Sequence, residues 1–201
     1  MATIYLMRHG QTYFMLENRL GGDSELTPFG FEQAAKISKW LADIDIKAVY
    51  CSTLKRSVQT AEVLHKSHPK TPLIQTSELC ELSNGDMDSI KYEEFEQEFP
   101  KLFKARSQDK YHWCFPNGES YETALLRVKP LLESLKSKNG NYIIVGHQAM
   151  NRVILGQLLG LTQSEIPFLV IPNDVVFVID IKNKKVSHIK DGKSFDGYTI
   201  E

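Results

Sequence analysis

Four consecutive apolar residues, Tyr142-Ile143-Ile144-Val145, stop at Gly146-His147, and a helical pattern from about Ala149 to Leu159 follows at once. A run so short and so apolar reads as a buried strand. A strand that passes directly into a helix is the repeating unit of an α/β domain. The N-terminus repeats the arrangement, because the apolar run Ile4 to Met7 ends abruptly at Arg8-His9-Gly10. In open α/β sheets, ligands bind beyond the carboxyl ends of strands. A histidine there, with a cation before it and a glycine after it, suits chemistry on an anion. Gly10 would let the backbone approach a ligand closely and turn sharply. Taken alone, the three residues equally describe a strand followed by a polar turn.

The intervening chain supplies more such units. Arg19-Leu20-Gly21-Gly22-Asp23-Ser24 has the composition of a loop with unusual backbone freedom. Thr27-Pro28 offers an N-cap followed by proline at the first helical position, and Ala34, Ile37, Ser38 and Leu41 keep helical spacing. Ala48-Val49-Tyr50-Cys51 is a second short strand, after which Ser52 is placed to cap a helix running to about His65. Leu73 to Gln75 is a third strand. Lys91 to Arg106 is helical in character, with a break imposed by Pro100. Ser107 to Gly118 is a polar and aromatic loop, and Glu119 to Lys138 an amphipathic helix that Pro130 should kink or divide. Val175 to Ile181, Lys182-Asn183-Lys184 and Val186 to Ile189 form a hairpin. The alternation predicts a three-layer α/β/α sandwich with a mostly parallel central sheet.

Composition excludes several classes. With 201 residues, the chain has the size of one domain with a substantial core. A formal net charge of −1 argues against a globally basic nucleic-acid binder, while leaving room for a local basic pocket. No apolar run approaches the roughly 18 residues of a membrane span. The N-terminus lacks the pattern of a signal peptide. Cys51, Cys80 and Cys114 are odd in number and widely spaced, which suits neither a disulfide framework nor a zinc site. The expected setting is cytoplasmic, with neither nucleic acid nor membrane as partner, and a homodimer left open.

His9 and His147 both stand at strand ends, each with an arginine nearby, Arg8 and Arg152; a third strand end leads to Arg56. A neutral imidazole is a good nucleophile toward phosphorus. Phosphoryl transfer then needs chiefly positioning and charge neutralisation. Arg8, Arg56 and a protonated His147 could supply that without a metal or other cofactor, since arginine's planar fork matches phosphate. An alkoxide leaving group also needs a proton from a carboxylic acid. Glu81, set between Leu79 and Leu82, is the best placed carboxyl, although an ordinary surface glutamate has the same surroundings.

Arg8-His9-Gly10 with Thr12, Ser52-x-Leu54-x-Arg56 with Thr60-Ala61-Glu62, Glu81 with Gly85, and Gly146-His147 occur in one order along the chain. This ordered set resembles the histidine phosphatase, or phosphoglycerate-mutase-like, superfamily over nearly the whole of residues 1–201 as one domain. The resemblance implies phosphohistidine formation on His9, proton donation by Glu81, and a phosphoryl group held by Arg8, Arg56 and His147. Within the superfamily, the chain is most similar to the fructose-2,6-bisphosphatase domain, through Gly21-Gly22-Asp23-Ser24, Tyr92-Glu93-Glu94, Arg106 to Tyr111, Pro116 to Glu122, and His147-Gln148-Ala149-x-x-Arg152. That likeness implies that Tyr92, Arg106, Lys110, Tyr121, Gln148 and Arg152 bind the non-reacting end of a sugar bisphosphate, with Arg19 supporting the reactive phosphate. Arg106 and Lys110 also fit a solvated charged loop.

One departure stands out. The family usually places a phosphate-binding asparagine five residues beyond the glycine of Arg-His-Gly, and here that residue is Met15. Either the pocket is weaker or Asn18 substitutes. The expected activity is metal-independent hydrolysis of a small-molecule sugar phosphate. The alternatives are a broad-specificity phosphatase, an α-ribazole phosphatase, a phosphoglycerate mutase, or a phosphometabolite-binding module with weakened catalysis.

Overall fold

Strand β1 (Ala2–Arg8) sends alternate side chains to opposite faces of a sheet. Ile4 and Leu6 enter one core, while Met7 enters the other with Tyr5 packed against it. Its neighbour β4 (Gly140–Gly146) divides in the same way, with Tyr142 and Ile144 on one side and Ile143 and Val145 on the other. A strand buried on both faces must be apolar throughout. That requirement is why these two runs were the clearest strands in the sequence.

The protein is described from a computed structural model over residues 2–198. The remaining strands are β2 (Ile46–Cys51), β3 (Leu73–Gln75), β5 (Val175–Asp180), β6 (Lys185–Lys190) and β7 (Lys193–Asp196). The sheet order is β3-β2-β4-β1-β5-β6-β7. The first four of that order are mutually parallel, and the last three add on antiparallel. The sheet is therefore mixed: a parallel half carries the strand ends expected to bear the site, and an antiparallel half closes one edge. The hairpin β5–β6 matches the sequence reading, whereas β7, exposed along its length, was not anticipated.

The helices are α1 (Tyr13–Leu16), α2 (Pro28–Leu41), α3 (Lys55–His65), α4 (Tyr92–Glu98), α5 (Pro100–Gln108), α6 (Tyr121–Lys136) and α7 (Gln148–Leu159). Ile37 and Leu41 of α2 and Ala61 and Leu64 of α3 cover one face of the sheet. Val128, Leu132 and Leu135 of α6 and Met150, Val153 and Ile154 of α7 cover the other. This is the expected three-layer α/β/α sandwich. Among the described residues no helix is long and apolar enough to cross a membrane.

Local signals behave as their chemistry requires, with three exceptions. Thr27 caps α2, accepting from the Gly30 N–H at 3.1 Å. Pro100 opens α5, and Gly160 ends α7 at φ +74°. Ser52, however, does not cap α3, whose N-cap is Leu54 without a side-chain bond. Pro130 does not divide α6, which runs unbroken from Tyr121 to Lys136. Gly10 is needed for contact with protein rather than ligand, since a Cβ there would lie 2.3 Å from the Gly30 carbonyl oxygen.

Candidate active site

Parallel pairing places Arg8 of β1 opposite Gly146 of β4, so the residues that follow them, His9 and His147, emerge side by side. The His9 N–H donates to the Gly146 carbonyl at 3.1 Å, and the two imidazole centroids are 5.1 Å apart. From β2, on the far side of β4, the chain passes through Ser52 into α3, which brings in Arg56. The Arg56 Nε–H lies 3.1 Å from His9 Nε2 and 3.2 Å from His147 Nδ1. One guanidinium edge therefore faces both rings.

These contacts define the tautomers. His9 Nδ1 lies 2.7 Å from the Gly10 carbonyl, which can only accept, so the proton is on Nδ1 and Nε2 keeps its lone pair. His147 accepts from Arg56 at Nδ1 and donates from Nε2 to the Ser52 hydroxyl at 2.7 Å. Burial, then the charges of Arg56 and Arg8, hold the His9 imidazolium well below its ordinary range. His147 is lowered in the same way, by burial first, then by Arg56, His9 and Arg8. Both rings are neutral at pH 7. Burial and Arg56 therefore disfavour the protonated His147 expected from the sequence. A fully buried ring that already accepts a guanidinium N–H has no solvation for a second positive charge.

Arg56 is anchored at its other end by the Gly22 carbonyl at 2.7 Å and, more loosely, by Asp23 at 3.5 Å. Gly21 and Gly22 have φ of +54° and +66°, so the freedom read from this loop is used. Arg8 is pushed down to about 10 by burial, with Arg152 and Arg56 adding repulsion against the attraction of Glu81. It remains a cation at neutral pH. Its bonds are poor: Ile171 O at 3.5 Å, Met15 Sδ at 3.8 Å, and no partner for the buried Nε among the described residues. A guanidinium so poorly paired is available to an anion.

Glu81 reaches the pocket from the segment after β3. Its carboxylate accepts the N–H groups of Ala149 and Met150, in the first turn of α7, at 3.0–3.1 Å. The donor groups of a helix N-terminus thus hold the carboxylate beside the histidine pair.

The pocket is a cavity of about 200 Å³. Its wall includes Arg8, Arg19, Arg56, Arg106, Lys110 and Arg152, against the carboxylates Glu81 and Glu119. Tyr121 and Gln148 also line it. Arg152 donates to the Leu169 carbonyl at 2.7 Å and to the Tyr121 hydroxyl at 3.2 Å. Lys110 donates to the Pro167 carbonyl at 3.1 Å, and burial followed by Arg152 and Arg106 lowers its ammonium to about 8. Arg19 pairs with Glu17 at 2.6 Å and bonds the Ser89 carbonyl. Tyr92 is the exception among the expected binding residues. It lies outside the pocket wall and packs edge-on against Phe95 and Phe103, in an aromatic cluster whose members Trp113 and Phe115 do reach the wall.

Met15 lines the pocket, and its sulfur faces Arg8 and the Asn173 amide, 3.9 Å away. Asn18 does not replace it. Asn18 sits in a left-handed turn at φ 51°, is exposed, and uses its carbonyl to accept the Tyr92 N–H at 2.9 Å. Asn173, just before β5, instead donates to the His9 carbonyl at 2.5 Å. That contact left no trace in the sequence, because it depends on β5 pairing antiparallel beside β1. Thr60 was visible only as part of a motif. Its hydroxyl donates to the Arg56 carbonyl at 2.8 Å and accepts the Gly10 N–H at 3.1 Å, tying together the segments that carry His9 and Arg56. Among the described residues no group of three or more histidine, cysteine or carboxylate side chains is placed to hold a metal ion.

The family model of the histidine phosphatase superfamily (branch 1) matches residues 4–190. The chain is 36% identical over 172 residues to 6-phosphofructo-2-kinase/fructose-2,6-bisphosphatase 4 of Rattus norvegicus, covering 85% of this chain and 35% of that protein. It is 35% identical over 193 residues to the fructose-2,6-bisphosphatase of Saccharomyces cerevisiae, covering 93% of this chain and 41% of that protein. The chain thus spans well under half the length of these relatives. In fold it is similar to a putative alpha-ribazole-5'-P phosphatase from Escherichia coli, with TM-score 0.84, 24% identity, and coverage of 100% of this chain and 98% of that one. It is also similar to a mycobacterial glucosyl-3-phosphoglycerate phosphatase, with TM-score 0.79, 23% identity and 88% coverage of each chain. With the paired histidines, the arginine between them and the matching family model together, the chain belongs to the histidine phosphatase superfamily.

Proposed function

We propose that residues 1–201 act as one phosphomonoesterase domain that forms a phosphohistidine on His9 and prefers a sugar bisphosphate resembling fructose 2,6-bisphosphate. The observation that carries the mechanism is the His9 tautomer: the Gly10 carbonyl takes the Nδ1 proton, leaving the Nε2 lone pair facing the pocket's cations. In the first step Nε2 attacks phosphorus, the ester P–O bond breaks, and the departing alkoxide takes a proton from Glu81. In the second, Glu81 removes a proton from water, whose oxygen attacks phosphorus as the His9–phosphorus bond breaks. Arg8 and Arg56 neutralise the phosphoryl oxygens, and His147 holds Arg56 from behind.

The bisphosphate preference rests on charge placement. Arg106, Lys110 and Arg152 line the pocket in addition to Arg8 and Arg56, in a chain whose net charge is −1. A monophosphate engages one such group; a bisphosphate engages both. The two fructose-2,6-bisphosphatase relatives support this reading. The three free cysteines support a reducing, cytoplasmic setting.

The test is transfer from labelled fructose 2,6-bisphosphate with a chelator present. Acid-labile, base-stable label on His9, absent from His9→Ala, is the expected result. Label on another residue, full activity in His9→Ala, or activity abolished by the chelator would overturn the mechanism. Equal kcat/KM for the bisphosphate and for simple monophosphates would overturn the substrate assignment alone.

A further inference from the structure

Glu81 sits on an irregular segment between β3 and α4, and two side chains outside the chemistry brace that segment on both sides. Arg127, on α6, donates from Nη1 to the carbonyls of Ser77 and Glu78, both at 2.9 Å, and from Nη2 to the Cys80 carbonyl at 3.1 Å. The same guanidinium pairs with Glu119 through Nε at 2.8 Å and Nη2 at 2.7 Å. Every N–H of Arg127 therefore has an acceptor. Glu119 reaches the other end of the segment: its carboxylate accepts the Ser83 N–H at 3.2 Å, and its own N–H donates to the Ser83 carbonyl at 2.8 Å. Cys80 and Ser83 bracket Glu81 and Leu82, so the ion pair grips the backbone on either side of the carboxyl.

We propose that the Arg127–Glu119 pair is a positioning device for Glu81, setting where the proton is delivered to the leaving oxygen. The proposal rests on the reading of Glu81 as proton donor given above. Arg127 and Glu119 act through the backbone of residues 80–83 and transfer no proton themselves. Without the fork, the carboxyl keeps its bonds to Ala149 and Met150 but loses its fixed approach. A displacement of about 1 Å at a reacting group costs about 100-fold. Lysine cannot replace arginine here, because a single ammonium cannot span three carbonyls and a carboxylate in a planar array.

The distinguishing measurement is leaving-group dependence. Alkyl phosphates expel a strongly basic alkoxide and need the proton; p-nitrophenyl phosphate expels a weakly basic phenolate and does not. The value of kcat/KM reports the first step for both. Arg127→Met and the milder Arg127→Lys should each lower kcat/KM for glycerol 3-phosphate about 10- to 100-fold while changing that for p-nitrophenyl phosphate by less than about threefold. A purely structural role would lower both substrates together with the folded fraction, leaving their ratio unchanged, and that result would overturn the proposal. Glu81→Gln separates the two levels of inference. If it penalises the alkyl ester selectively and the Arg127 variants do not, positioning alone fails. If Glu81→Gln affects both esters equally, the proton-donor role fails first.

Discussion

Met15 places a thioether where the resemblance leads us to expect an amide, and its neighbours show what this changes. Arg8 and Asn173 both point N–H groups at the sulfur, at 3.8 and 3.9 Å. Sulfur is a weak acceptor, so an anion can displace it, but it donates nothing in return. Met15→Asn should therefore tighten inhibition by orthophosphate or vanadate about tenfold, the value of one hydrogen bond to a charged group. An unchanged inhibition constant would mean that the asparagine is not oriented toward the anion. At this scale the sequence was most informative for His9, Arg56, Glu81 and His147, whose positions at or just beyond strand ends limit where they can go. It was least informative for Tyr92 and Asn173. Tyr92 belongs to α4, whose buried residue is Phe95, and its ring packs against Phe95 and against Phe103 of α5. Asn173 meets His9 across 164 residues of chain, beyond any local signal.

Among the elements, α6 shows how packing outweighs a local rule. Pro130 removes one helical N–H and crowds the preceding turn, yet the helix continues through it because Val128, Leu131, Leu132 and Leu135 are buried on both sides of the break. Each such apolar side chain stabilises by about 1.5–3 kcal/mol. Pro130 itself is exposed. Pro130→Ala should thus restore the missing bond and stabilise by about 1–3 kcal/mol, reduced somewhat by the freer unfolded chain. For a chain of this size each kcal/mol raises Tm by about 2–4 °C, measurable by calorimetry; an unchanged or lower Tm would show that the helix already absorbs the proline without cost. The sequence marked where α2 begins and where α4 gives way to α5, since caps and prolines act locally. It missed β7, because a short polar strand becomes a strand only when β6 offers it an edge.

For the whole molecule, the buried histidines couple the site to stability. His9 and His147 are held neutral in the folded protein, well below the ordinary 6.5 that they regain on unfolding. Below that value the unfolded chain binds protons that the folded one does not, so acid favours unfolding. Stability should be at its full value above pH 6.5 and fall as pH drops below it, each ring contributing up to about 1.4 kcal/mol per pH unit. Urea midpoints measured between pH 7.5 and 5.5 check this. In His9→Gln and His147→Gln the slope should flatten, and an identical slope in both variants would assign it to other groups. The overall architecture was legible because alternating strands and helices admit few arrangements. The split of the sheet into parallel and antiparallel halves was not, since pairing direction in the C-terminal third follows from the hairpin meeting β1.

The bifurcated contact of Arg56 carries one more consequence. A single Nε–H cannot serve the His9 lone pair, the His147 lone pair and an incoming oxygen at once. In the proposed mechanism, the electrons His9 would use for attack are occupied by that shared hydrogen, so an electrophile that leaves Arg56 in place meets an imidazole with nothing to offer. An anion that draws the guanidinium to itself releases them. In the proposed mechanism, reactivity at His9 is therefore conditional: the arginine that would recognise the phosphate is the same one that keeps the imidazole quiet until the phosphate has arrived.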